Sequence, residues 1–326
     1  GRPLLRAALD GPGLEFLPGR RLRDLAPACE PLRGHAAAYR VVGAGGAAWD
    51  AEQLAEALCN PPGSLWLDLW HADYAGGLRV RLGELTAGYG GGRDVLRGLS
   101  LDVSPRARVA LAGGTGCGKS TVLLCVLRLL EPRAGRVALG PLDARELGLR
   151  ALRAIVGAVP QEAAVFRGSW RQNLDPLEEA PDAVVWEALR RVGLAALARA
   201  LPGGLDDEVP RGGTGLSFGQ RQLLSLARMV VRQPPVLLVD QCTSALDPSA
   251  QEAAQGVLLR EFPLSTVLAV TQRVEAALGF DQVAVLAGGV VEEQGSVEEL
   301  LKIEDGLLFG MVKGAMRGGV EEEGPG

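Results

Sequence analysis

Residues 113–120 read Gly-Gly-Thr-Gly-Cys-Gly-Lys-Ser, a glycine-rich turn ending in Lys-Ser that matches the phosphate-loop pattern G-x-x-x-x-G-K-S. Glycines at Gly113, Gly114, Gly116 and Gly118 let the backbone N–H groups, including those of Thr115 and Cys117, turn toward one anion. A helix that starts where the glycines end aims its positive pole at the same point. Lys119 is then placed to reach the β- and γ-phosphates of a nucleoside triphosphate. The Ser120 hydroxyl, with Thr121 beside it, falls where Mg2+ would sit. The flanks agree with this reading. Arg108–Ala112 is a short apolar run leading into the turn, and helical spacing runs from Lys119 to Leu130 before Glu131-Pro132. Lysine is scarce: of 34 basic residues only Lys119, Lys302 and Lys313 are lysine, so this one carries information.

A phosphate loop that holds Mg2+ needs an acidic residue at the end of a second buried strand. Val236-Leu237-Leu238-Val239-Asp240 is a continuous apolar run ending in Asp, as expected of a parallel strand covered on both faces. Because Mg2+ keeps several of its waters, Ser120 and Asp240 suffice as protein ligands. Gly215-Leu216-Ser217-Phe218-Gly219 also fits the nucleophile elbow of the hydrolases. That chemistry requires a later histidine, and the only histidines are His35 and His71. The guanine motif of GTPases is missing as well, since no Asn-Lys pair occurs.

Composition narrows the field further. The chain has 326 residues, of which 47 % are hydrophobic, enough for a substantial core, and a net charge of −5 that opposes nucleic-acid binding. Cys29, Cys59, Cys117, Cys125 and Cys242 form no metal-ligand spacing and fit a reducing compartment. No eighteen-residue apolar run and no signal-peptide pattern occur, so a soluble piece is expected. Residues 1–78 are Arg-rich and broken by Gly and Pro. They carry a helical stretch near Asp50–Leu58 and a strand-like alternation at 64–70, with Trp66 and Trp70 on it. Residues 162–232 read as mostly helical, with Trp186, Leu189 and Val192 on one face. A last strand is expected near Gln282–Leu286, and the acidic Glu321–Glu323 reads as a solvated end.

Read as Leu216-Ser217-Phe218-Gly219-Gln220-Arg221-Gln222, the elbow-like segment resembles the signature motif of ATP-binding-cassette (ABC) proteins. Tyr89 matches the aromatic that stacks on adenine in that family. Gln161, in VPQEAAVF, matches the glutamine loop that touches the metal, and Ser244-Ala245-Leu246-Asp247 matches the loop after the metal-binding strand. The resemblance runs from about residue 80 to 305. The segment RGSWRQNLDP at 167–176 is similar to the second cassette of multidrug-resistance-associated (subfamily C) exporters.

The resemblance implies an α/β fold: a P-loop NTPase core with a mostly parallel sheet, a small antiparallel β subdomain and a helical signature subdomain at about 162–232. The nucleotide-binding domain is then 79–310, between an N-terminal segment 1–78 of unknown role and a tail 311–326. It also implies ATP and Mg2+ as ligands, with Ser120, Gln161 and Asp240 toward the metal. Two cassettes close head to tail, so that Ser217, Gly219 and Gln220 face the partner's nucleotide. The transmembrane domains of an exporter are the other expected partner, placing the cassette at the cytosolic face of a membrane with no nucleic acid bound.

Among the expected catalytic positions, Lys119 and Asp240 fit the pattern and two others depart from it. Gln241 stands where the family has the glutamate that deprotonates water, and Gln272 where it has a histidine. The resemblance therefore implies an ABC-class ATPase whose own site is slow. A non-hydrolysing regulatory cassette and a nucleic-acid-handling ABC ATPase are the alternatives.

Overall fold

The computed structural model describes residues 77–149, 152–176, 180–209, 215–240 and 251–315 with their side chains; for 150–151, 248–250, 316–321 and several short strands between 6 and 71 it describes the backbone alone. Gln241, the loop Ser244–Asp247, the helical stretch expected near Asp50–Leu58 and residues 322–323 of the acidic end lie outside the described residues. The strand expected at 64–70 is found as Ser64–Asp68 followed by Trp70–His71.

From residue 80 the chain alternates strands and helices. β1 (Val80–Ala87) and β2 (Leu96–Val103) form a hairpin, β3 (Arg108–Gly113) enters the glycine loop, and α1 (Lys119–Val126) leaves it. Then come β4 (Ala134–Leu139), β5 (Leu142–Asp143), α2 (Leu149–Ile155) and β6 (Val156–Val159). The next stretch holds β7 (Gly168–Ser169), α3 (Trp170–Leu174), α4 (Asp182–Arg191), α5 (Ala195–Arg199), β8 (Glu208–Val209) and α6 (Phe218–Arg232). β9 (Val236–Asp240), α7 (Pro248–Arg260), β10 (Thr266–Val270) and α8 (Val274–Ala277) follow. After them come β11 (Gln282–Ala287), β12 (Val290–Ser296), α9 (Val297–Leu300) and α10 (Leu307–Glu321).

The main sheet has the order β6-β9-β10-β3-β11-β12, parallel except where β12 runs antiparallel to β11. A second sheet, β5-β4-β1-β2, is antiparallel throughout. The parallel strands are apolar at nearly every position because both faces are covered. Leu111, Leu238 and Leu268 pack toward the antiparallel sheet and α1, while Ala110, Leu237 and Val267 pack toward α4, α6 and α7. This stacks the carboxyl ends of β3, β9, β10 and β6 along one edge, where open parallel sheets bind their ligands.

Several expectations need correcting. Helix α1 stops at Val126, not Leu130. Arg128 turns left-handed at φ +51, and the N–H groups of Leu129 and Leu130 both reach back to the Leu124 carbonyl. The Arg128 guanidinium, on the carbonyls of Ala144 and Leu147, fixes that turn. Gln282–Leu286 is not the last strand, since β12 pairs with it at the sheet edge. Residues 162–232 are only partly helical and include the β7–β8 pair. On α4 the buried side chains are Val185, Ala188 and Leu189, with Val192 at its cap. Trp186 is only half-buried, lying under the Arg199 guanidinium. Helix α10 runs through residues 310 and 311, and its Met311, Val312 and Ala315 pack on the core. No helix among the described residues is long and apolar enough to cross a membrane.

Candidate functional site

Strand β3 carries Gly113 to the ligand edge of the sheet, and the chain then turns on glycine geometry. Gly113 has φ +140, and a Cβ there would lie 2.3 Å from the Leu286 carbonyl oxygen. Gly118, at φ +107, would press a Cβ to 2.6 Å from Leu96. At Gly113 a side chain would push on the backbone of β11, and at Gly118 the positive φ itself disfavours any L-residue. Gly114, Thr115 and Gly116 are exposed on the outer side of the turn. Lys119 is 5 % exposed, and its ammonium donates to the carbonyls of Gly113 and Gly114, both at 2.8 Å. Cys117 Sγ lies 3.7 Å from the same nitrogen. The lysine thus ties the loop into a ring. Gly118 supplies no capping side chain to α1, so the first-turn N–H groups are left to a ligand.

Ser120 Oγ donates to Asp240 Oδ1 at 3.1 Å, across the width of β10. Burial pushes the Asp240 carboxyl above its ordinary range, against the opposing effects of the Ser120 hydroxyl and the Lys119 charge. A hydroxyl and a desolvated carboxylate converging on one point are the hard oxygen donors that Mg2+ takes. Gln161 lies two residues beyond β6, whose Val159 pairs with Val239, so the register brings it to the same edge. Its carbonyl accepts a hydrogen bond from Gln222 Nε2.

Tyr89 stands on a turn between β1 and β2, 53 % exposed, with its hydroxyl 3.1 Å from Thr121 Oγ1. It is not a packed core tyrosine. Ser217 caps α6 reciprocally: its Oγ accepts from the Gln220 N–H at 3.1 Å, and Gln220 Oε1 accepts from the Ser217 N–H at 2.9 Å. Gly219 is buried in the first turn of that helix. Gln272 is exposed just beyond β10, whose Val270 pairs with Asp240. Gln241, next to Asp240, lies outside the described residues. The structure therefore gathers Gly113–Thr121, Tyr89, Gln161, Asp240 and Gln272 at one edge, while Ser217, Gly219 and Gln220 sit at the start of α6.

Gln222, read only as part of the signature motif, and Arg228 hold the glutamine segment in a way that sequence reasoning did not foresee. Gln222 is fully buried beneath it. Arg228 donates to the Asn173 carbonyl at 2.6 Å and the Ala164 carbonyl at 2.7 Å, with its guanidinium 4.6 Å from the centre of the Phe166 ring. Burial pulls the Arg228 side chain down to about 10. An arginine inside the apolar stripe Leu224–Ala227–Val231 of α6 was the available signal.

A family model described as ABC transporter matches residues 96–244. The ATP-binding cassette sub-family C member 2 of Homo sapiens is 37 % identical over 215 residues, covering 66 % of this chain and 14 % of that protein. The ABC transporter C family member 8 of Dictyostelium discoideum is 35 % identical over 219 residues, covering 67 % of this chain and 14 % of its own length. The chain thus spans a small part of these relatives. Among solved structures, that of a bacterial Atm1-family ABC exporter with ATP bound superposes with a TM-score of 0.69 at 32 % identity, covering 74 % of this chain and 43 % of that one. With its two sheets, phosphate loop and signature helix in this order, the chain belongs to the ABC transporter family as a nucleotide-binding cassette of subfamily C.

Proposed function

We propose that this chain binds Mg-ATP as one cassette of a membrane exporter, at the cytosolic face, and that its own site turns ATP over slowly. The observation that supports binding is the closed ring of Lys119 on the loop carbonyls beside the Ser120–Asp240 pair. Tyr89 offers its face to adenine. The backbone amides from Gly113 through Gly118, including those of Thr115 and Cys117, take the phosphates, with Thr121 in the next turn. Lys119 exchanges the carbonyls for phosphate oxygens. Ser120, Asp240 and Gln161 hold Mg2+, which when bound neutralises charge on the phosphates.

Ser217, Gly219 and Gln220 serve the nucleotide on a second cassette. The Ser217 hydroxyl accepts from Gln220 and keeps its own proton to donate across that interface. Transmembrane domains of the exporter are the other partner. Gln241 and Gln272 can hydrogen-bond water or phosphate, yet neither can take up a proton at neutral pH. A cassette that only switches on ATP binding is the second reading. Both catalytic departures favour it, and measured phosphate release separates the two.

Calorimetry on the wild type and Lys119→Ala tests the site. Removing the ammonium deletes charge-assisted contacts of roughly 1.5–3 kcal/mol, so ATP affinity falls by roughly tenfold to a hundredfold. Equal affinities would overturn the assignment.

A further inference from the structure

The turn that presents Tyr89 is a run of glycines with little of its own to fix it. Gly90 and Gly91 are exposed, and a Cβ on either would meet no atom within 4 Å. Such a segment loses much conformational entropy on ordering and needs outside anchors. One short bond closes it, from the Gly92 N–H to the Tyr89 carbonyl at 3.2 Å. The Val95 N–H to the Ala87 carbonyl at 2.8 Å ties its base, and the bonds to its glycine carbonyls come from Arg133, between α1 and β4. Its Nη2 donates to the Gly90 carbonyl at 2.6 Å, and its Nη1 to the Gly92 carbonyl at 3.1 Å and to Asp94 Oδ1 at 2.6 Å. The Arg133 N–H is itself held by the Thr86 carbonyl at 2.7 Å, near the end of β1. The planar fork of a guanidinium suits three acceptors in this arrangement. On the opposite side the Tyr89 hydroxyl meets Thr121 in the first turn of α1.

We infer that Arg133 is a positioning residue for the base end of the nucleotide: by gripping both sides of the Tyr89 turn, it sets the ring at the height and angle at which adenine stacks. The inference rests on reading the loop as an ATP site. Arg133 lies outside every motif that marks the family, and its hydrogen bonds run to the turn, Asp94 and β1. Its loss is therefore felt by the base and not by the phosphates.

The test compares affinities of the full chain for Mg-ATP and for Mg-tripolyphosphate, which has phosphates but no base. Tyr89→Ala sets the ceiling: a base–aromatic stack contributes roughly 1–3 kcal/mol, about fivefold or more in affinity. Arg133→Ala is expected to weaken ATP about threefold to tenfold while tripolyphosphate stays within about twofold. Arg133→Lys recovers only part of the loss, because an ammonium cannot span the three acceptors. Asp94→Asn removes the charged end of the grip with little change of shape. It gives a smaller base-selective loss, and it carries the test if Arg133→Ala does not fold. Unchanged ATP affinity in both Arg133→Ala and Asp94→Asn overturns the inference, as do equal losses for the two ligands. A wild-type chain that binds neither ligand sinks the ATP reading and this inference together.

Discussion

Asp240, the proposed metal ligand at the end of β9, works against the stability of its own fold. The carboxylate sits at the end of a strand whose other four residues are buried, and burial raises it above the ordinary carboxylate range, although Ser120 and Lys119 both favour its charge. With the folded-state value raised, the ionised form weakens the fold at neutral pH, and that penalty fades as pH falls into the carboxylate range. Asn at this position keeps an oxygen for the Ser120 hydroxyl and removes the charge. Asp240→Asn is expected to raise the thermal midpoint at pH 7 by roughly 1–3 °C, with a smaller gain near pH 4, while Mg-dependent ATP binding weakens. A lower midpoint at pH 7 would mean that attraction to Lys119 outweighs desolvation. The same two facts, an apolar run and a terminal Asp, made this residue legible in the sequence. Lys119, Ser120 and the loop glycines were legible for a similar reason, since their chemistry is packed into eight consecutive residues. The hold of Arg133 on Gly90 was not, because it joins positions 43 residues apart with no pattern between them.

At the scale of elements, the pairing of β3 with β11 is pinned at its start by one arginine. Arg108 gives its backbone N–H and Nε to Asp281 Oδ2, both at 3.0 Å, and Nη2 to Oδ1 at 2.6 Å, while Nη1 reaches the Leu259 carbonyl. The Asp281 N–H returns a bond to the Arg108 carbonyl. Hydrogen bonds from Arg108 hold the Asp281 carboxyl below its ordinary range. The folded-state value is lowered, so this contribution is complete above the ordinary carboxylate value and is lost as pH falls through and below it. Both side chains are partly exposed and solvent screens them, so Asp281→Asn is expected to cost about 1 kcal/mol at neutral pH. Urea unfolding should show that difference at pH 7 and close most of it near pH 3. An equal difference at both values would assign the effect to shape and not to charge. The strands here were readable where burial is two-sided, as in β3 and β9. β12 was not, because an edge strand reading Val-Val-Glu-Glu-Gln-Gly-Ser carries its charges on a half-exposed face and shows no apolar run. The premature end of α1 was hidden for another reason: Leu127 and Leu130 keep the helical spacing while packing from a turn.

For the whole molecule, the proposed function turns on how a cassette that carries Lys119, Ser120 and Asp240 together with Gln241 and Gln272 behaves in a pair. Asp240 pairs with Val270 in the register of β9 and β10; Gln241 follows Asp240 in the sequence and Gln272 lies two residues past Val270, and the proposed function has both act on one reaction centre. Water is a poor nucleophile, and a positioned general base contributes roughly 10²–10⁴-fold, about 3–5 kcal/mol of barrier. A glutamine at 241 can place the water but not deprotonate it. A glutamine at 272 can donate an amide N–H to the γ-phosphate without the charge of an imidazolium. Because the two act on one centre, their losses do not simply add. On the proposed function, slow turnover with undiminished binding would keep a closed pair populated, so that ATP here would clamp the cassettes while a partner's site, completed by Ser217 of this chain, cycled. The competing view is that phosphoryl transfer depends chiefly on positioning and electrostatics, in which case glutamine serves well enough. Phosphate release from this cassette paired with its partner decides between them. Gln241→Glu, and Gln241→Glu combined with Gln272→His, are expected to raise the rate by at least about tenfold with little change in ATP affinity. Brisk turnover in the native pair, left unchanged by both restorations, would show that this site needs no proton acceptor and would end the clamp argument.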